Sequence, residues 1–165
     1  MDRNTLIQHL RECLTLIRNP RFFKSERGCQ GELLALLKQH IPNEVLPYGA
    51  LIEQEYQKRL GTHGLKIRPD IIIHEPFDPK RHQDRTEGNH AVMELKLNAS
   101  PAKASDDFNS LLGMINTLQY PLAIFINIAS TATHIHLAPE ETKGRMVCFA
   151  VSLANGQVHV VEDQT

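Results

Sequence analysis

Residues 122–128 read Leu-Ala-Ile-Phe-Ile-Asn-Ile, apolar at every position but one and β-branched at three. The run is too short to span a bilayer. As a strand it would be buried on both faces, which is the habit of interior strands in sheets covered on each side. A second run, Ile71-Ile72-Ile73 within residues 67–74, is also too short for an independent helix and reads as a buried strand. Two such strands constrain the chain more than any other feature. Whatever helices it forms must pack against a central sheet.

The helices are legible by their spacing. Leu6, Leu10, Cys13, Leu14 and Ile17 give an amphipathic helix over residues 4–18, ended by Asn19-Pro20. Ser25 caps a second, continued by Leu33, Leu34, Leu36 and Leu37 to His40 and closed by Ile41-Pro42-Asn43. Phe108, Leu111, Leu112 and Ile115 mark a third over 104–118, with Ser105 or Asp106 as its cap and 98–103 as a loop. Strands are expected weakly at 51–57, where Leu51, Glu53, Glu55 and Gln57 alternate with Ile52, Gln54 and Tyr56, and clearly at 91–97. Gly61-Thr62-His63-Gly64 reads as a turn. Short strands follow at 134–137, 146–153 and 158–161, the last two joined by the hairpin signal Asn155-Gly156. Residues 75–90 carry no core pattern and are expected to be a mobile excursion. The order is helix, helix, three strands, helix, strand and a small β tail, a single mixed α/β domain.

Composition excludes several classes. With 165 residues the chain can bury a real core. A net charge of -1 gives no electrostatic case for a pure nucleic-acid-binding module, although a bound metal would alter the balance locally. The three cysteines, Cys13, Cys29 and Cys148, are far apart and lack close pairing, so free thiols in a reducing compartment are expected. No charged-then-apolar leader precedes Thr5, and a cytoplasmic location is expected.

The chemistry concentrates on two neighbouring strands. Asp70 opens the isoleucine strand directly after Arg68-Pro69, while Glu94 and Lys96, two apart, point to one face of the next strand. Their neighbours Met93, Leu95 and Leu97 would face the other way, into the core. Charges on such strands are costly unless they pair or bind metal. Magnesium takes oxygen ligands, commonly one or two carboxylates plus waters. Asp70 and Glu94 can supply these, with the backbone carbonyl of Leu95 as a third ligand, and Glu32 on the second helix is a candidate outer carboxylate. Lys96, beside the metal, would orient or deprotonate the attacking water and stabilise the transition state. The plainer alternative is a solvated Glu94–Lys96 ion pair, with Asp70 merely starting a strand.

The pattern "IRPDIIIH" followed by "NHAVMELKL", with "SDDFNSLLGMI" and "YPLAIFINI" after it, resembles the PD-(D/E)xK nuclease superfamily, in a branch of mostly uncharacterised bacterial proteins. The resemblance implies a restriction-endonuclease-like αβββαβ core with a mixed central sheet over about residues 25–128, an extra N-terminal helix, and a small C-terminal β extension over about 129–165. It implies a nuclease dependent on Mg²⁺ or Mn²⁺, acting most readily on DNA. Glu32, Asp70, Glu94 and Lys96 take the four signature positions, with Glu26 near enough to compete with Glu32. RecB-like members carry Q-x-x-x-Y in the helix after E-x-K; here Gln119 and Tyr120 are adjacent and end that helix, so Gln119 reads as structural. Gln30 sits on another part of the helix from Glu32 and reads chiefly the same way.

Other residues are open to two readings. Arg18, Arg21, Lys24 and Arg27, interleaved with Phe22 and Phe23, suit contact with a phosphate backbone or form an ordinary solvated helix junction. Arg68 would meet a phosphate or pair with Glu55. Together with the 75–90 insert, the 18–27 segment is where substrate specificity is expected. His134 and His136, with His159, form a rival zinc pattern that lacks a third ligand by spacing. The fold often works as a homodimer, for which the β extension is the candidate surface. The alternative to an enzyme is a non-catalytic nucleic-acid-binding or assembly subunit that keeps the fold.

Overall fold

A computed structural model describes residues 2–42, 46–55 and 60–165. The helices are α1 (Arg3–Leu16), α2 (Glu26–His40), the single turn α3 (Leu60–His63) and α4 (Pro101–Leu118). The strands are β1 (Leu51–Gln54), β2 (Ile71–His74), β3 (Asn89–Leu97), β4 (Ala123–Ile128), β5 (Met146–Ala154) and β6 (Gln157–Gln164). They form one six-stranded mixed sheet in sequence order, so the molecule is α/β. The pairs β3–β4 and β4–β5 are parallel, and the others antiparallel. Among the described residues no helix is long and apolar enough to cross a membrane.

Side-chain alternation divides the core into two layers, one on each face of the sheet. Ile71, Ile73, Met93, Leu95, Ile124, Ile126 and Phe149 pack beneath α1 and α2, against Leu10, Leu14, Leu33 and Leu37. Ile72, Val92, Phe125 and Cys148 pack on the other face against Phe108, Leu111 and Ile115 of α4. Every position of β2 and β4 is buried, as their apolar runs require. The three cysteines are free and buried, and burial pushes each thiol up, Cys13 to about 11 and Cys29 to about 12.

Ser25 caps α2 by accepting the Gly28 amide at 3.2 Å. The Asn155-Gly156 turn joins β5 to β6 with positive φ at both residues, which is what a tight hairpin of this hand demands. Gln119 ends α4 in the left-handed conformation, in keeping with a structural role. Elsewhere the structure departs from expectation. α4 begins three residues early, at Pro101, with Ser100 as its cap in place of Ser105 or Asp106, because proline at a first helical position forfeits no hydrogen bond. Residues 134–137 are not a strand. His134 has φ of 57°, which breaks an extended chain, and Ile135–Leu137 form a 3-10 turn whose apolar side chains pack toward α4. The C-terminal segment is no appendage either, since β5 lies parallel to β4 and is buried from Met146 to Val151. β1 stops at Gln54; Tyr56 and Gln57, expected in the same strand, lie outside the described residues, as does Asn43. Residues 61–63, read as a turn, belong to α3.

The 75–88 loop, although polar, is organised around one carboxylate. Glu75 is buried and accepts Arg81 Nη2 at 2.8 Å, with His82 Nε2 at 3.2 Å and His90 Nε2 at 3.3 Å. His82 Nδ1 accepts the Asp78 amide at 3.0 Å, which assigns its proton to Nε2, facing Glu75. Burial lowers the His90 pKa, against the pull of Glu75.

Candidate metal centre

Strand register brings the site together. Ile71 pairs with Met93 in the antiparallel β2–β3 ladder, so continuing that register by one residue sets Asp70 beside Glu94. Both share the α4 face of the sheet with Ile72 and Val92, by the two-residue period of a strand. Asp70 Oδ2 accepts the Leu95 amide at 2.7 Å, and its carboxyl is also hydrogen-bonded to that of Glu94. Two bonds hold the Asp70 backbone: its carbonyl accepts Gln30 Nε2 at 2.7 Å and the Glu55 amide at 2.9 Å. Gln30 is therefore a support of the site.

Lys96 lies two residues beyond Glu94 on the same face. Its ammonium sits 3.8 Å from Glu26 Oε1 and 3.6 Å from Asp107 Oδ1. Glu26 Oε2 also accepts the Leu97 amide at 3.2 Å, tying the first turn of α2 to the end of β3. Asp107 comes from α4, one helical turn from the buried Ala104 and Leu111, and its Oδ2 is buried with no hydrogen-bond partner among the described residues. Thus Asp70, Glu94 and Lys96 are brought together, and Glu26 joins them. Glu32 does not: at 100° per residue it lies about 200° around α2 from Gln30, and no contact links it to the cluster among the described residues. Its charge acts instead on Cys29, whose thiol it raises after burial.

Four carboxyl groups thus surround one ammonium at the end of the sheet. Burial pushes Glu94 up to about 9, with the charges of Asp70 and Asp107 adding to it. Burial also raises Asp70, against the Leu95 hydrogen bond that lowers it. Asp107 rises to about 6, again through burial, with Lys96 opposing. For Lys96, burial acts to lower the pKa, but Asp107, Glu26, Asp70 and Glu94 together overcome it and the net shift is upward. Asp70 and Glu94 are thus raised together, with burial the largest cause for each.

Asn127 is a second residue that the sequence did not single out. It faces Lys96 in the parallel β3–β4 register and is wholly buried. Its Oδ1 accepts the Ala99 amide and its Nδ2 donates to the Ala132 carbonyl, both at 2.8 Å. These bonds fasten the turn that carries the α4 cap, and so set the helix that presents Asp107.

The basic candidates divide. Arg68 pairs with Glu55 at 3.6 Å, and Arg27 approaches the same carboxylate at 4.0 Å, both largely exposed beside the Asp70 end of β2. Arg21 and Lys24 flank the exposed side of the 3-10 turn that Phe23 anchors in the core. The 75–88 loop is different. It joins the other ends of β2 and β3, so its first residue, Glu75, stands roughly 16 Å along the strand from Asp70 at about 3.3 Å per residue. The histidine zinc pattern does not assemble. His134 Nε2 lies 3.0 Å from the Ala99 carbonyl, and His159 is exposed on β6. Among the described residues no set of three or more His, Cys, Asp or Glu side chains could hold a metal ion. Any ion at Asp70 and Glu94 would complete its shell with backbone oxygen and water, as magnesium ordinarily does. Comparison with protein-family models, curated proteins and solved structures finds no match to this chain.

Proposed function

We propose that the chain is a Mg²⁺- or Mn²⁺-dependent nuclease of the PD-(D/E)xK type, hydrolysing phosphodiester bonds in DNA. One observation carries the reading: Asp70 and Glu94 hold their carboxyls in contact at the end of adjoining strands, with Lys96 on the same face. The element order over residues 26–128, helix, three strands, helix, strand, with the single turn α3 inserted between β1 and β2, supports it.

The donor set suits a hard cation. The carboxyl contact retains a proton that a divalent ion would displace, and Asp107 Oδ2 is a buried oxygen in want of a partner. Asp70, Glu94 and the Leu95 carbonyl would hold the ion, which when bound supplies a Lewis acid and eases deprotonation of water. The Leu95 amide and Gln30 fix Asp70, whose carboxyl also meets that of Glu94. Lys96 remains an ammonium at neutral pH, since its pKa is raised. It therefore donates to the phosphoryl oxygens and orients the water rather than taking its proton. Glu26 fills the helix-borne position assigned to Glu32. Arg21, Lys24, Arg27 and Arg68 would meet the substrate backbone, which positions a strand without reading its bases. A cytoplasmic location and a homodimer through the β6 edge belong to the same proposal.

Incubating plasmid and single-stranded DNA with the protein in Mg²⁺, Mn²⁺ or chelator tests it, beside Asp70→Ala and Lys96→Ala. Cleavage should require the metal and fall roughly 10²–10³-fold in Lys96→Ala, the loss typical of one transition-state donor. Cleavage that survives in both variants overturns the site; no cleavage of any substrate favours the non-catalytic binding or assembly subunit.

A further inference from the structure

The resemblance supplies no role for an acid on α4, yet Asp107 reaches the centre of the cluster. Lys96 has a carboxylate on each side, Glu26 from α2 beneath the sheet and Asp107 from α4 above it, at 3.8 and 3.6 Å. These two acids do different work. Glu26 also accepts a backbone amide, so it has a structural duty at the β3 end. Asp107 has none: its Oδ1 faces Lys96, and its Oδ2 makes no hydrogen bond among the described residues. Nor does it cap its helix, which Ser100 does.

Asp107 is also badly placed as a stabilising residue. It adds a further carboxyl to a cluster where Asp70, Glu94 and Glu26 already outnumber the single ammonium. Removing one partner of a buried ion pair ordinarily destabilises because the other charge is left unpaired; here Lys96 keeps Glu26 at 3.8 Å, so a neutral group of the same shape at position 107 should cost no stability. Its one charged partner within 4 Å is Lys96, so the effect of Asp107 falls on that ammonium.

We propose that Asp107 is a positioning residue of the cleavage site, fixing the Lys96 ammonium on the α4 side of β3 so that it points across Asp70 and Glu94. The proposal rests on the nuclease reading for its consequence in catalysis, but not for the geometry. Without Asp107, Lys96 swings toward Glu26 and away from the position of the reacting phosphate. A misplacement of about 1 Å costs on the order of 10²-fold in rate. Substrate affinity, set elsewhere, stays as it was.

The test uses Asp107→Asn and Asp107→Glu in the full chain, with three readouts. Asparagine should lower kcat for plasmid nicking about 100-fold at unchanged KM, and glutamate, which restores the charge, should recover part of it. The melting temperature of Asp107→Asn should equal or exceed that of the wild type, whereas a structural ion pair would lower it. In ¹⁵N-labelled protein the Lys96 ammonium signal should be observable in the wild type and lost to solvent exchange in Asp107→Asn. An unchanged Lys96 signal overturns the proposal whatever the activity, and so does a lower melting temperature with kcat intact. If the wild type cuts no DNA, the nuclease reading fails by itself and the Lys96 signal still decides whether Asp107 positions it.

Discussion

Replacing Glu94 by glutamine makes the sharpest use of the buried carboxyl contact. In the folded protein the Glu94 carboxyl is raised from its ordinary 4.5 to about 9, by burial first and then by Asp70 and Asp107. Unfolded, it titrates near the ordinary value. Between those limits the folded state holds a proton that the unfolded state has lost, so stability falls as pH rises. One proton corresponds to about 1.4 kcal/mol per pH unit, or roughly 3–6 °C in melting temperature for a chain of this size. The clean window is about pH 7 to 8. Below it Asp107, raised to about 6, adds to the slope while His90, lowered by burial, opposes it. Above it the raised thiols add their own downward slope. Glutamine keeps the shape and still donates to Asp70, but it has no proton to lose. Calorimetry in chelator should therefore show the wild type losing stability across that window, and Glu94→Gln nearly level and more stable at its upper end. Equal slopes for the two proteins, or a wild type that gains stability with pH, would refute the reasoning.

Two further substitutions probe the supports. Gln30→Leu removes one of the two donors to the Asp70 carbonyl, and unfolding should become easier by about 1 kcal/mol, with metal-dependent cleavage reduced more than stability; an unchanged rate would separate Gln30 from the site. Gly88 has φ of +75°, and a Cβ there would lie 2.9 Å from that of Glu75, so Gly88→Ala should cost about 1–3 kcal/mol in denaturant unfolding while leaving cleavage, at the far end of β2, untouched.

What the sequence disclosed follows from how local each signal is. The apolar runs of β2 and β4, the Ser25 cap and the Asn155-Gly156 turn are fixed by neighbours in the chain and are found where the pattern put them, although β2 begins only at Ile71 and not at 67. Asp70, Glu94 and Lys96 were legible because strand alternation sends them to one face. Glu26 against Glu32 could not be decided that way. Both are acids on one helix, Glu26 at its first position and Glu32 near its middle, and the choice depends on how α2 docks on the sheet. Asp107 carried no local signal, since its partner lies eleven residues back on β3. Ser100-Pro101 was a readable start signal for α4, masked because the apolar pattern begins only at Ala104. The Glu75 cluster joins residues of one polar loop through a buried carboxylate, an arrangement that hydrophobic periodicity cannot register.

The most direct test of the central claim is nicking of supercoiled plasmid by the wild type and by Asp70→Ala, each with Mg²⁺ and with chelator. Wild-type cleavage that needs the metal and disappears with Asp70 is the expected result. Cleavage that persists in chelator, or equal cleavage by the two proteins, would contradict a metal site at Asp70 and Glu94.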